Sequence, residues 1–394
     1  QGVSSAASDV YKRQIESGSL MRRRRKRKSR VILIFSSLIA VTAAGIGYKS
    51  IPGLAEAAGR LGEVKVGFES DPKNYTGEMD FNFQSINGED EILSSGYGWH
   101  EEQEEVSNTE SDSEAGPKPY PTEWNTGEST VYKDTFERYS GVKYIGLDDG
   151  GQVRNETDIS NGVLLEESRL MPEFTIELND EPQVLIMHTH TTESFEPFER
   201  DFFDSSFNYR TTDPSKNVVM IGDKITQQLE NAGIGVIHDT TIHDYPSYNG
   251  SYDRSAETVK KILKEYPSIK VVLDIHRDAI GTNDSIMQPV VEVNGKDAAP
   301  VMIISGCDDG TMDMPDYMKN FRFASLLQQQ MSSDYTGFTR PILFDYRKYN
   351  QDLTTGSLLI EVGTHGNTLE QVEYSGELLG KSLAKALLKL NQEN

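Results

Sequence analysis

The sequence predicts an α/β protein with a mostly parallel central sheet and helices on both faces, set behind an N-terminal transmembrane helix and a flexible acidic stalk. Three observations carry this. Val31–Tyr48 is a run of 18 residues without a charge; as a helix it measures about 27 Å, close to the hydrocarbon thickness of a bilayer. Glu101–Glu114 is acidic and nearly free of apolar residues, so it cannot bury enough surface to offset its ordering entropy. From about Gly162 onward, short β-branched apolar runs alternate with stretches whose apolar residues recur at helical spacing, the pattern of a sheet covered by its crossover helices.

The chain has 394 residues, enough for one large or two modest domains. Its hydrophobic content of 36% is below the usual share for a packed domain, so part of the length is expected to stay unpacked. The net charge of -23 is unevenly spread: ten of the 39 basic residues and two of the 62 acidic ones precede Val31, leaving 29 against 60. A surface that acidic repels phosphate backbones, which argues against nucleic acid as a partner. Cys307 is the one cysteine; it excludes an internal disulfide and a cysteine-rich zinc site and reads as a small buried apolar residue.

Taken in order, residues 1–20 read as a non-native leader, with Met21 as the natural start. Residues 21–30 carry eight Arg and Lys and form the basic flank of the anchor 31–48. Such a flank stays on the cytoplasmic side, which places the rest of the chain outside. A cleavable signal peptide is the alternative, since Thr42 and Ala44 are small residues at suitable spacing. Residues 49–161 read as a stalk that gives the outer domain reach, with short ordered stretches around Val131–Gly146. In 162–394, strands are expected at Val184–Met187, Ile234–Ile237, Val271–Ile275, Val301–Ile304 and Ser357–Val362. Helices are expected over Asn217–Glu230, Ser255–Tyr266, about Tyr317–Met331, and from a capping box at Asn367–Glu370 onward.

The chemistry gathers at strand ends. His188 and His190 follow the first of these strands, His276 follows Val271–Ile275, and Glu361 stands at the end of Ser357–Val362. Ligands of an open α/β sheet bind beyond the carboxyl ends of its strands. Only seven histidines exist in the chain, and three distant segments deliver His, His and Glu to one edge. Imidazoles converging with carboxylates suggest zinc, bound by three protein ligands with a fourth position for water; a nearby carboxylate would take the water's proton. If the strand continues through His188 and His190, both face the ion; if the chain turns, only one does. Glu361 in an apolar strand end needs a metal, a proton to move or a cationic partner. His243 is a weaker candidate, His238 weaker still, His100 falls in the stalk, and His365 lies in a loop. The triplet His276-Arg-Asp278 lacks the glycine-rich loop of a kinase, and neither H-E-x-x-H nor G-x-S-x-G occurs.

At these residues the sequence resembles the stage II sporulation protein P family. The pieces that carry the resemblance are VLIMHTHTTESF (184–195), NGSYDRS (249–255), VVLDIHRDAI (271–280) and GSLLIEVGTHGNTLEQ (356–371). It implies an amidase-like fold and a zinc-dependent N-acetylmuramoyl-L-alanine amidase, with peptidoglycan endopeptidase activity, acting in engulfment beside the sporulation proteins D and M. It also implies His190 and His276 as metal ligands and Glu361 as the catalytic carboxylate. The wider amidases place a third ligand, a glutamate, at the start of the helix after the first strand; here no glutamate stands near Lys216-Asn217. Glu193 is the expected substitute, with His243 or His188 as alternatives. The competing reading is a non-catalytic cell-wall binding module with a structural metal. The aromatic insertion Glu196–Pro214 is expected to wall an open substrate groove.

Overall fold

The computed structural model describes residues 116–391 apart from 128 and 137. The leader, basic flank, anchor 31–48 and His100 lie outside the described residues. Among those described, no helix is long and apolar enough to cross a membrane.

The elements run β1 (Thr130–Asp134), β2 (Tyr144–Gly146), β3 (Gln152–Asn155), α1 (Asn161–Glu167), β4 (Val184–Met187), α2 (Val219–Asn231), β5 (Val236–His238), α3 (Ser251–Glu265), β6 (Val271–Asp278), β7 (Ser285–Pro289), β8 (Val291–Val293), β9 (Lys296–Ala298), β10 (Val301–Gly306), α4 (Tyr317–Asp334), β11 (Ile342–Asp345), β12 (Gly356–Thr364) and α5 (Leu369–Leu388). Eight strands form the central sheet in the order β2-β3-β11-β10-β12-β6-β4-β5. β12, β6, β4 and β5 pair in parallel, as do β10, β11 and β3. The β10–β12 and β2–β3 pairings are antiparallel. The sheet is therefore mixed, which corrects the expectation of a mostly parallel one. A buried apolar run reads the same in either direction; what sets direction is the connection, and β10 follows the short β8–β9 hairpin rather than a crossover helix.

The second correction concerns the stalk. Within the described residues it does not extend to 161. β2 and β3 are edge strands of the central sheet, and β1 pairs with β7. Val153 is fully buried, and Ile145 and Leu147 join it in the main core. Three- and four-residue strands show too few alternations to be recognised as periodic. Even Lys118 and Tyr120 are tied down: Lys118 exchanges backbone and hydroxyl hydrogen bonds with Thr211 and Thr212, and the Tyr120 hydroxyl donates to Phe195 O at 2.7 Å.

Helices α2, α4 and α5 cover one face, packing Ile221, Leu327, Leu379 and Leu383 onto Ile186, Leu273, Ile303 and Ile360. Glycines let α5 sit close: a Cβ at Gly380 would lie 2.9 Å from the Gln228 Cβ. α5 opens on a capping box formed by Thr368 and Gln371, one residue later than expected, because Asn367 instead spends its side chain on Thr364 N and Pro289 O. The other face is covered differently. α3 packs Val259 against Leu185, Met187 and Val272, but over β10 and β12 there is only a loop, whose Tyr349 packs against Met302, Ile304, Leu343 and Leu359. That helix-free part of the face borders the carboxyl ends of β6 and β12.

Because β2 and β3 close one end of the sheet and fill its core, a chain starting at residue 162 should unfold at a clearly lower temperature and denaturant midpoint than one starting at 116. Equal midpoints in matched thermal and urea melts would show those strands to be dispensable.

Candidate active site

The first segment of the site is the turn after β4. The strand ends at Met187 and the chain turns at once. Two buried carboxylates pin this turn. Thr189 donates its backbone N–H and hydroxyl to Asp274 at 2.8 and 2.6 Å, and the Thr192 hydroxyl donates to Asp244 at 2.6 Å. The turn sends His188 and His190 to different places. His188 goes into the core, with Nδ1 3.0 Å from Ile275 O and Nε2 2.9 Å from His238 Nε2. His190 turns toward β6, its ring edge-on to His276 with centroids 5.2 Å apart.

β6 and β12 supply the rest. They pair in parallel with Glu361 opposite His276 and Leu359 opposite Asp274. His276 lies inside β6, which runs three residues further than expected. Its Nδ1 is 3.5 Å from Glu193 Oε2 and its Nε2 2.7 Å from Asp274 Oδ1, so the imidazole sits between two buried carboxylates. Glu193 also accepts the Arg277 N–H at 3.1 Å and lies 3.7 Å from Arg210 Nη2. His190, Glu193, His276 and Glu361 line one small open cleft, walled by Tyr248, Tyr252 and Tyr349.

The electrostatics follow from burial. Burial acts to lower the His276 pKa, but the charges of Asp274 and Glu193 outweigh it and hold it well above the ordinary histidine value. Burial opposes ionisation of Glu193 too, yet His276, Arg277 and His190 keep it well below the usual carboxylate range. Glu361 behaves oppositely: burial, then the charge of Asp278, pushes it up to about 8. His190 is held neutral by burial, its pKa pushed down to about 3, the state in which an imidazole can coordinate a metal.

Among the described residues no three His, Cys, Asp or Glu side chains stand as a finished coordination sphere. The donor set nevertheless fits a divalent cation in kind: two imidazoles, a carboxylate beside one of them, and a second carboxylate in the next strand. Glu193 Oε1 and Glu361 Oε2 are buried without a hydrogen-bond partner, and a shared cation is what would satisfy such atoms together. His190 is the member that must shift, since its two nitrogens face Ser251 Oγ at 3.4 Å and the Tyr248 hydroxyl at 3.2 Å.

The remaining candidates fall outside. His243 has both nitrogens engaged, by His188 O at 2.9 Å and Thr258 Oγ1 at 3.0 Å. His238 pairs with Asp223 at 3.0 Å. His365 is buried against Tyr209, centroids 4.9 Å apart. Neither His188 nor His243 is placed to replace Glu193. Arg277 and Asp278 are strand residues, Arg277 donating to Ser194 O and Tyr209 O, and Asp278 pairing with Arg340 at 2.7 Å. Of the insertion 196–214, Arg210 reaches the cleft residues, 3.7 Å from Glu193 and over the Tyr248 ring, but the aromatic residues do not wall the cleft. Phe203, Phe207 and Tyr209 instead pack with Tyr120, Trp124, Val131 and Ile286. Asp274 went unrecognised although its signal is in VVLDIHRD: an acid two positions before His276, on the same face of a buried strand. Tyr252 stood in NGSYDRS, without a feature to mark its role.

The model of the stage II sporulation protein P family matches residues 71–384. The chain belongs to that family. The Stage II sporulation protein P of Bacillus subtilis (strain 168) is 31% identical over 205 residues, which make up 49% of this chain and 48% of that protein; the chain thus spans about half the length of this curated relative. Among solved structures, the chain is similar to N-acetylmuramoyl-L-alanine amidase AmiC2 of Nostoc punctiforme at 12% identity and a TM-score of 0.32, covering 54% of this chain and 98% of that one. It is similar to the CwlD amidase of Clostridioides difficile at 12% identity and a TM-score of 0.33, covering 53% and 98%. A metallo-carboxypeptidase from Burkholderia cenocepacia shows 9% identity and a TM-score of 0.31, covering 60% and 70%.

Asp274 serves Thr189 and His276 at once, so Asp274→Ala should lower stability by about 3–5 kcal/mol, the usual cost of unpairing a buried charge. Asp223→Ala, at an exposed partner of His238, should cost under about 1 kcal/mol. Urea melts of the two variants decide this; equal losses would contradict the role given to Asp274.

Proposed function

We propose that this protein is a zinc-dependent hydrolase of peptidoglycan amide bonds, an N-acetylmuramoyl-L-alanine amidase with endopeptidase activity. The observation that supports this best is the side-by-side register of Glu361 and His276, with Glu193 beside His276 and all three lining one cleft with His190. On this reading the domain is held at the outer side of the membrane by Val31–Tyr48 and takes part in wall degradation during engulfment, beside the sporulation proteins D and M. Membership of the stage II sporulation protein P family supports the biological setting.

His190, Glu193 and His276 would hold the zinc. When bound, the ion supplies a Lewis acid that polarises the scissile carbonyl and acidifies water. Glu361 carries the proton. Its buried carboxylate takes one proton from the attacking water and returns it to the departing nitrogen, while the acyl carbon gains the hydroxyl oxygen. A carboxyl whose pKa is raised toward neutrality can both accept and release that proton near physiological pH. Asp274 holds the His276 ring from its far nitrogen, the usual task of a carboxylate behind a ligating histidine. Arg277 braces Glu193 through its backbone N–H.

Purified protein should release stem peptides from isolated wall sacculi, with new muramic acid lactyl carboxylates and free peptide amino termini detected by mass spectrometry. A chelator should stop release and added zinc restore it. Glu361→Gln should lower the rate at least about 100-fold while zinc content stays near wild type. Release that ignores the chelator, or survives Glu361→Gln, would contradict the proposal; sacculus binding without any release would favour the binding-module reading.

A further inference from the structure

A second pair of histidines stands outside the residues that line the cleft, and the chemistry above leaves it unused. His188, just past the end of β4, faces His238, the last residue of β5, Nε2 to Nε2 at 2.9 Å. The far nitrogen of each ring is engaged as well. His188 Nδ1 stands 3.0 Å from Ile275 O, and His238 Nδ1 stands 3.0 Å from Asp223 Oδ1. A carbonyl and a carboxylate only accept hydrogen bonds, so both Nδ1 atoms must carry a proton. A neutral imidazole has one proton to give. The two Nε2 atoms then meet lone pair to lone pair. Other neutral tautomers only move the conflict onto Ile275 O or Asp223 Oδ1. Three contacts call for three protons, and two neutral rings supply two.

A metal ion between the two Nε2 atoms resolves the count. An imidazole that ligates a metal through one nitrogen regularly donates its other N–H to a carbonyl or a carboxylate, and both rings are held in that way here. The helix side of the gap is kept clear. A Cβ at Gly222 of α2 would lie 2.3 Å from His238 Nε2 and 2.9 Å from His188 Nε2, so any other residue would plug the space beside the two nitrogens. Burial holds the His238 pKa below the ordinary histidine value, which disfavours a third proton in the ion's place. Two oxygens that adjoin these residues in the chain are buried without a hydrogen-bond partner: Thr226 Oγ1, one turn along α2 from Gly222, and Asp239 Oδ2, next after His238. Two imidazole nitrogens on a tetrahedral zinc stand about 3.3 Å apart, so the rings part by about 0.4 Å to admit the ion.

We infer that His188 Nε2 and His238 Nε2 form a second metal site, separate from the cleft, for a transition-metal dication that favours imidazole ligands. Zinc and its neighbours in the first row fit this chemistry; calcium and magnesium, which take oxygen ligands, do not. Solvent reaches the pair from the His238 side, whose side chain is 9% exposed, and water completes the shell where the chain does not. The role is structural. β5 is the edge strand of the central sheet, and the ion ties it, with α2 through Asp223, to the first residue of the turn that carries His190 and Glu193. The inference rests on the His188–His238–Asp223 geometry alone and stands whether or not the cleft hydrolyses an amide.

The test is zinc binding by the full chain with no substrate present. Zinc equivalents per chain are counted by calorimetric titration, and by metal analysis after dialysis, in wild type, His238→Gln, His276→Ala and the double variant. The expected counts are two, one, one and none. Equal counts in wild type and His238→Gln overturn the second site. One equivalent in both wild type and His276→Ala, with none in His238→Gln, supports the second site and removes zinc from the cleft. Nitrogen-15 spectra of the histidine rings in wild type at neutral pH give a reading that needs no folded variant. Adding zinc should move the Nε2 resonances of His188 and His238 together to metal-bound positions while both Nδ1 atoms stay protonated. A His238 Nε2 that keeps its own proton in excess zinc overturns the site.

Discussion

The site depends on one buried row of charges, Asp274–His276–Glu193. Its imidazole lies 2.7 Å from one carboxylate and 3.5 Å from the other, all three nearly cut off from water. Buried charges survive only when paired, so each member fixes the others. Asp274 also ties Thr189 and thereby the turn that carries His190 and Glu193. Glu193 in turn receives the Arg277 N–H, which locks that turn to β6. A change at any member therefore reaches the others through shared hydrogen bonds rather than through distance.

The sheet provides what the row needs. β6 and β12 are central strands, buried along their length, and their parallel register sets His276 and Glu361 side by side without any loop to position them. Side chains on rigid strands are held more precisely than side chains on loops. The turn after β4 and the Tyr349 loop are the adaptable parts, and both are anchored by buried polar groups: Asp244 and Asp274 for the first, Asn350 and Gln351 for the second. The N-terminal segment joins this scaffold too, since Tyr120 donates to the carbonyl of Phe195, two residues beyond Glu193.

Sequence pattern disclosed the strands that carry the site and little of what surrounds them. Val184–Met187 was legible to the residue, and His190, Glu193, His276 and Glu361 meet in one cleft because strand ends gather on one edge of a sheet. Strand direction was not legible, since an apolar run has none. β2 and β3 were not, because three or four residues show too few alternations and lie next to polar, proline-rich sequence. Asp274 was written in plain view, but an acid inside a strand has several uses and only the fold shows which histidine it faces. Tyr349 could not be found at all: a left-handed backbone at a tyrosine leaves no compositional trace.

The most direct test of the central claim is a crystal structure of the zinc-soaked protein, with anomalous diffraction collected on both sides of the zinc absorption edge. The account predicts one strong peak within coordination range of His190, Glu193 and His276, with the His190 ring released from Tyr248 and Glu361 close by but not bound. No peak at that position, or a peak held by other side chains while His276 stays between its two carboxylates, would contradict it.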